Sequence, residues 1–146
     1  MKIKIITSAL LVVTVITACA VAKKNKDVMY VKHGLSYGKC QGYCYKEDTY
    51  TNDDFVNYQR PNRPSNEFPE KLDSTTIELN EWKSILKNIN LTDFYKQPAT
   101  IGCPGCTDGG SEWIEIATSD KVYRVTFEEG KPSEALKPIY SALRKL

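Results

Sequence analysis

The order strands, helix, strand hairpin, helix predicts an α+β domain: a mainly antiparallel β-sheet packed with about two helices. Three observations carry that prediction. Residues 43–51 and 111–128 alternate side chains with a period of two, as a half-buried strand does. Trp82, Ile85, Leu86 and Ile89 fall at i, i+3, i+4 and i+7, one face of a helix. Leu136, Ile139, Tyr140 and Leu143 repeat that helical spacing near the end of the chain.

Taken in order, Val28 to Lys32 is rich in strand formers, and Gly34 to Gly42 (GLSYGKCQG) is predicted as a glycine-punctuated loop. Tyr43 to Thr51 and Phe55 to Arg60 follow as strands, separated by the turn residues Asn52, Asp53 and Asp54. The polar stretch PNRPSNEFPEKLDS, with three prolines, is expected to be an exposed loop through Ser74. Asn80 is the expected cap of the Trp82 helix, and Thr92 to Tyr95 adds one short turn before Pro98. Ser111 to Thr118 and Val122 to Glu128 form the clearest hairpin. In it Ile114 and Ile116 share a face with Tyr123, Val125 and Phe127 across a turn at 119–121. Pro138 makes the last helix start late or bend in its first turn.

The N-terminus sets the compartment. Lys2 and Lys4 precede an apolar run from Ile5 to Ala18 that is too short to span a bilayer and suits the core of a secretory signal. It ends in Ile16-Thr17-Ala18-Cys19, which resembles the bacterial lipobox. That resemblance implies a lipoprotein signal peptide over 1–18 and a diacylglyceryl group on Cys19; the polar, cationic stretch behind it reads as a lipidated tether over 19–27, and the α+β domain occupies 28–146. Ordinary cleavage at Ala18-Cys19-Ala20 or Ala20-Val21-Ala22 is the competing reading, and it would release a soluble protein. Subtracting Lys2 and Lys4 from the 20 basic residues leaves 18 against 18 acidic ones, so the formal charge of +2 belongs to the signal. A balanced domain without a Lys/Arg stripe offers no field for nucleic acid, and that partner class is excluded.

Of the five cysteines, Cys40, Cys44, Cys103 and Cys106 remain for the domain. An even number in an exported chain points first to disulfides. Local bridges, Cys40 to Cys44 and Cys103 to Cys106, need only tight loops and contribute about 2 kcal/mol each; a bridge joining the two motifs would contribute about 4 kcal/mol but needs them adjacent. Four thiolates also match a tetrahedral zinc or copper site, though zinc ribbons usually hold their pairs roughly 15–20 residues apart. A catalytic redox pair is disfavoured, because Cys103-Pro104-Gly105-Cys106 leads into a strand and not a helix N-terminus.

Other candidates weigh less. His33 is the only histidine and reads as an exposed loop or strand residue. Asp108, Glu112 and Glu115 could form a calcium or acid–base cluster, but Glu112 and Glu115 should lie on opposite strand faces. Six of the nine tyrosines lie between Tyr30 and Tyr58. Tyr43, Tyr45 and Tyr58 are the candidate binding residues among them, against the alternative that they only pack the sheet.

The layout Gly38-Lys39-Cys40-Gln41-Gly42-Tyr43-Cys44, a hairpin, a Trp-x-x-Ile-Leu helix and Cys103 to Ile116 resembles the cell-envelope lipoproteins common in Bacteroidota. The resemblance implies an envelope location, the outer membrane, and an α+β fold; it carries over no activity. Two functions follow as expectations. One is a non-enzymatic, lipid-anchored binding or structural module, stapled by disulfides and without a cofactor, whose partner is a protein or small ligand. The other is a thiol-redox or Zn/Cu-binding lipoprotein that uses the four domain cysteines. Mass spectrometry of the membrane fraction checks the anchor: a mature chain starting at acylated Cys19 is expected, and a water-soluble chain starting at Val21 or Lys23 would refute it.

Overall fold

The computed structural model describes residues 27–106 and 109–145. The signal, Cys19 and the tether up to Lys26 lie outside the described residues, as does Asp108. The domain is α+β, as its residue periods predict. Its strands are β1 (Val28–Ser36), β2 (Tyr45–Tyr50), β3 (Asp54–Arg60), β4 (Lys71–Thr76), β5 (Thr100–Ile101), β6 (Ser111–Thr118) and β7 (Val122–Glu128). They form one seven-stranded sheet in the order β4-β3-β2-β1-β6-β7-β5, antiparallel except where β5 runs parallel to β7. The helices are α1 (Leu79–Lys87), α2 (Leu91–Phe94) and α3 (Lys137–Leu143).

The hairpin has the expected register, with Ile116 opposite Tyr123 and Ile114 opposite Val125. Those residues face the helices. Val31, Ile114, Ile116, Val125 and Phe127 are fully enclosed there, packed with Trp82, Ile85, Phe94, Leu136, Ile139 and Leu143. Pro138 stands in the first turn of α3, where its missing N–H costs nothing.

Four elements differ from expectation. Gly34 to Ser36 belong to β1, not to a loop: Gly34 pairs with Trp113, and its backbone runs beneath the indole. β4 begins at Lys71, inside the stretch expected to be a loop; it is an edge strand with all six residues exposed, so no apolar alternation marks it. β5 has only two residues, too few to show a period. The cap of α1 is Glu78, whose N–H donates to the Glu81 carboxylate at 3.3 Å, and Asn80 sits in the first turn.

The two ends of the sheet are unlike. Short turns at 51–53 and 119–121 lie at one end, with Asp27, whose carbonyl accepts from the Ser119 N–H at 3.3 Å. The connections 37–44, 61–70 and 129–136 lie at the other, together with the turn after β5. Nine residues of β1 span the distance between the ends, ~30 Å at strand rise.

Gly34 is required by contact, since a Cβ there would stand 2.0 Å from the Trp113 ring. Gly34→Ala should therefore destabilise the domain by about 1–3 kcal/mol, as overpacking does. In urea unfolding, Trp113→Ala should remove most of the extra penalty of Gly34→Ala; simple additivity would show that the two residues do not share one site.

Candidate functional site

At the end of the sheet with the long connections, the loop 61–70 encloses a groove. One lobe, about 490 Å³, is lined by Arg60, Pro61, Asn62, Ser65, Asn66, Phe68 and Glu70, among others. A second lobe, about 350 Å³, is lined by Lys39, Cys40, Cys44, Arg63 and again Asn62 and Phe68. The Asn62 amide ties the loop to its neighbour, donating to the Tyr37 and Gly38 carbonyls at 3.0 and 2.9 Å. Proline at 61, 64 and 69 limits the backbone freedom of the loop.

The three candidate tyrosines stand behind this groove, each against a different lining residue. Tyr43 meets Phe68 edge-on with ring centroids 5.7 Å apart. The Tyr45 ring carries the Arg60 guanidinium at 4.5 Å. The Tyr58 hydroxyl donates to Glu70 at 2.9 Å. They therefore do not form one flat face. Tyr45 and Tyr58 are neighbours, 5.9 Å between centroids, while Tyr43 lies beyond the end of β2 under the Lys71 ammonium.

Tyr45 is itself held from below. Its ring leans on Trp113 at 5.3 Å, and the Arg124 guanidinium lies over the indole at 5.1 Å. Its hydroxyl donates to Glu47 at 2.8 Å, and Glu47 also takes Lys32 at 2.9 Å. Burial, followed by that hydrogen bond, pushes the Tyr45 phenol up to about 12. The same partners hold Glu47 below the ordinary carboxylate value even though burial pushes it upward. Tyr45 therefore stays neutral and Glu47 charged across the physiological range.

The four domain cysteines are bonded locally, Cys40 to Cys44 and Cys103 to Cys106, with Cα separations of 5.7 and 5.5 Å. Cys40 and Cys44 line the second lobe of the groove, and Cys44 is enclosed. Gly105, at φ +77, gives the second bridge its tight turn. Among the described residues no cluster of His, Cys, Asp and Glu has the geometry of a metal site.

The remaining candidates fall apart. Glu112 and Glu115 do face opposite sides of β6, Glu112 toward the helices and Glu115 toward Arg124 at 2.8 Å. His33 is a strand residue, in β1, but not an exposed one: its side chain is 11% exposed and meets Glu112 at 2.6 Å. Glu112 is fully buried and also accepts from the Gly130 N–H at 2.7 Å and the Tyr140 hydroxyl at 3.4 Å, with Arg144 3.5 Å away. This network joins β1, β6, the 129–136 connection and α3. Sequence pattern gave only one hint of it, an acidic residue at an inward strand position. No protein-family model matches the chain, and a search of curated proteins finds no relative.

Burial alone would raise the Glu112 carboxyl; the His33 and Gly130 hydrogen bonds, with the charges of His33 and Arg144, bring it below its ordinary value. A carboxylate depressed in this way stabilises the fold at neutral pH and loses that contribution as pH falls from about 4.5 through its folded value. Glu112→Gln should thus be less stable than wild type at pH 7, and the gap should close on acidification. Denaturant unfolding over a pH series checks this; a constant gap would mean that Glu112 carries no charge in the native state.

Proposed function

We propose that this protein is a lipid-anchored component of the bacterial cell envelope that acts by binding, through the groove formed by loop 61–70. One observation carries the reading: Tyr43, Tyr45 and Tyr58 each support a separate groove residue, Phe68, Arg60 and Glu70. A sheet that merely packed its tyrosines would have no reason to aim three of them at one rim. The support runs deep, from Arg60 through Tyr45 to Trp113 and Arg124. Preorganisation of this kind lowers the ordering cost that binding must overcome.

The ends of the sheet fit the same reading. Asp27 lies at the short-turn end, so a tether acylated at Cys19 approaches there, and the groove opens ~30 Å away at strand rise. Anchored so, the domain presents its groove outward from the lipid surface. Metal binding or thiol exchange finds less support, because the four sulfurs that would perform it are bonded to one another.

Site-specific photocrosslinking in cells tests the proposal on the full, membrane-anchored chain. A photoreactive residue in place of Asn66, on the groove, should trap a partner, and one in place of the exposed Lys83 on α1 should not. Tyr58→Ser should cut the yield from position 66 several-fold and shift Tm by only about 2 °C, since a half-exposed ring leaves little cavity. Equal yields from positions 66 and 83, or none from 66, would refute a binding groove.

A further inference from the structure

The groove does not stop at Glu70, because the next residue opens β4, the outermost strand on that side. Ladder geometry fixes which backbone groups of β4 are free. The Ile77 N–H donates to the Asp53 carbonyl at 3.1 Å, so residues 77 and 53 form a hydrogen-bonded pair. Continuing that register, Thr75, Asp73 and Lys71 turn their N–H and C=O groups toward β3, opposite Phe55, Asn57 and Gln59. Leu72, Ser74 and Thr76 therefore turn theirs outward. Leu72 also leaves its side chain 71% exposed, and nothing else in the strand is covered.

Edge strands usually carry guards such as extreme shortness, a proline, a bulge or charged side chains. The opposite edge has one, for β5 is two residues long. β4 is six residues long, without proline or bulge in its pairing; its charged residues, Lys71 and Asp73, sit at positions whose backbone groups face β3, which leaves the outward-facing Leu72, Ser74 and Thr76 uncharged. At its first residue lies a groove whose lining carries Arg60 and Arg63 against one carboxylate, Glu70, which is already engaged by Tyr58. Among the described residues, neither Arg60 nor Arg63 is paired with a carboxylate.

From these two independent features we propose that β4 receives an extended, acidic segment of a partner protein as an eighth strand, with carboxylates of that segment reaching Arg60 and Arg63. The proposal rests on the groove-binding reading and gives the ligand its class. Main-chain bonds to Leu72, Ser74 and Thr76 hold the segment, the Leu72 side chain takes one apolar residue, and the groove selects negative charge. A second copy of this chain fits less well. Two-fold pairing through β4 is antiparallel and sets the two Asp27 ends in opposite directions, which chains anchored in one membrane surface cannot satisfy.

The probe is an octapeptide of alternating Asp and Val, with its Lys/Val counterpart as control, titrated into the full lipidated chain in detergent and followed by amide NMR. The acidic peptide should bind at least tenfold more tightly than the basic one. It should perturb the amides of Leu72, Ser74 and Thr76 more than those of Lys71, Asp73 and Thr75. Arg60→Ala with Arg63→Ala should lower affinity about tenfold. Ser74→Pro, which deletes an outward N–H and spares the β3 ladder, should do the same with unchanged Tm. Equal binding of both peptides, perturbation away from β4, or a chain that sediments as a dimer through this edge would overturn the proposal. If position 66 still traps a partner in cells while the acidic peptide fails to bind, strand addition by an acidic segment falls and the groove reading stands.

Discussion

The pairing of β1 with β6 is the constraint on which everything else hangs. It joins residues about eighty positions apart in the sequence, Gly34 with Trp113 and Leu35 with Glu112, and it sits at the centre of the sheet. Contacts of such separation are expensive to close, so they must be specified unambiguously. Here the specification comes from shape. The Trp113 indole occupies the space where any other residue at position 34 would have a Cβ. Slipping the register by one residue would set it against His33 or Leu35, and would also turn every apolar side chain of β6 to the wrong face. Among the described residues the buried indole N–H has no partner, so packing rather than hydrogen bonding places this ring.

On the opposite face of the same strand pair, charge does comparable work. Glu112 is enclosed, and an isolated carboxylate there would cost several kcal/mol. His33, the Gly130 N–H, and Tyr140 and Arg144 of α3 and its C-cap converge on it from three segments. Such a network contributes little net stability but strongly penalises any arrangement in which one member is missing. It sets where α3 docks and how the 129–136 connection returns. Shape thus fixes β1 against β6 on one face, and a satisfied charge fixes the helix against both on the other.

This division explains how much of the molecule was legible beforehand. Elements with one apolar face announce themselves: the hairpin of β6 and β7, the Trp82 helix and the late start enforced by Pro138 all follow from period and backbone chemistry. β4 is exposed at every residue, so no pattern could mark it. Gly34 looked like loop punctuation because glycine signals a turn far more often than it signals a ring lying across a strand. Tyr43, Tyr45 and Tyr58 were legible as a set but not as supports, since the residues they hold, Phe68, Arg60 and Glu70, lie in or beside a proline-rich loop without periodicity. His33 and Glu112 are 79 positions apart, and only the register of β1 on β6 brings them together.

The disulfides take their meaning from the same constraint. Each closes only a few residues, so neither does much to hold distant parts of the chain together; the β1–β6 ladder already does that. What a short bridge can do is keep a loop in one shape. Cys40 to Cys44 forms part of the wall of the groove, and the Cys103 N–H bonds to Glu128 at 3.2 Å at the same end of the sheet. Ordering a free loop on binding costs on the order of 1–2 kcal/mol per residue. Under the proposed binding role, a wall that is already fixed spares the ligand that cost. The Cys40–Cys44 staple therefore belongs with the prolines of loop 61–70 and the three supporting tyrosines, as a device that fixes the rim while the sheet and helices hold the fold; the Cys103–Cys106 staple fixes the turn after β5.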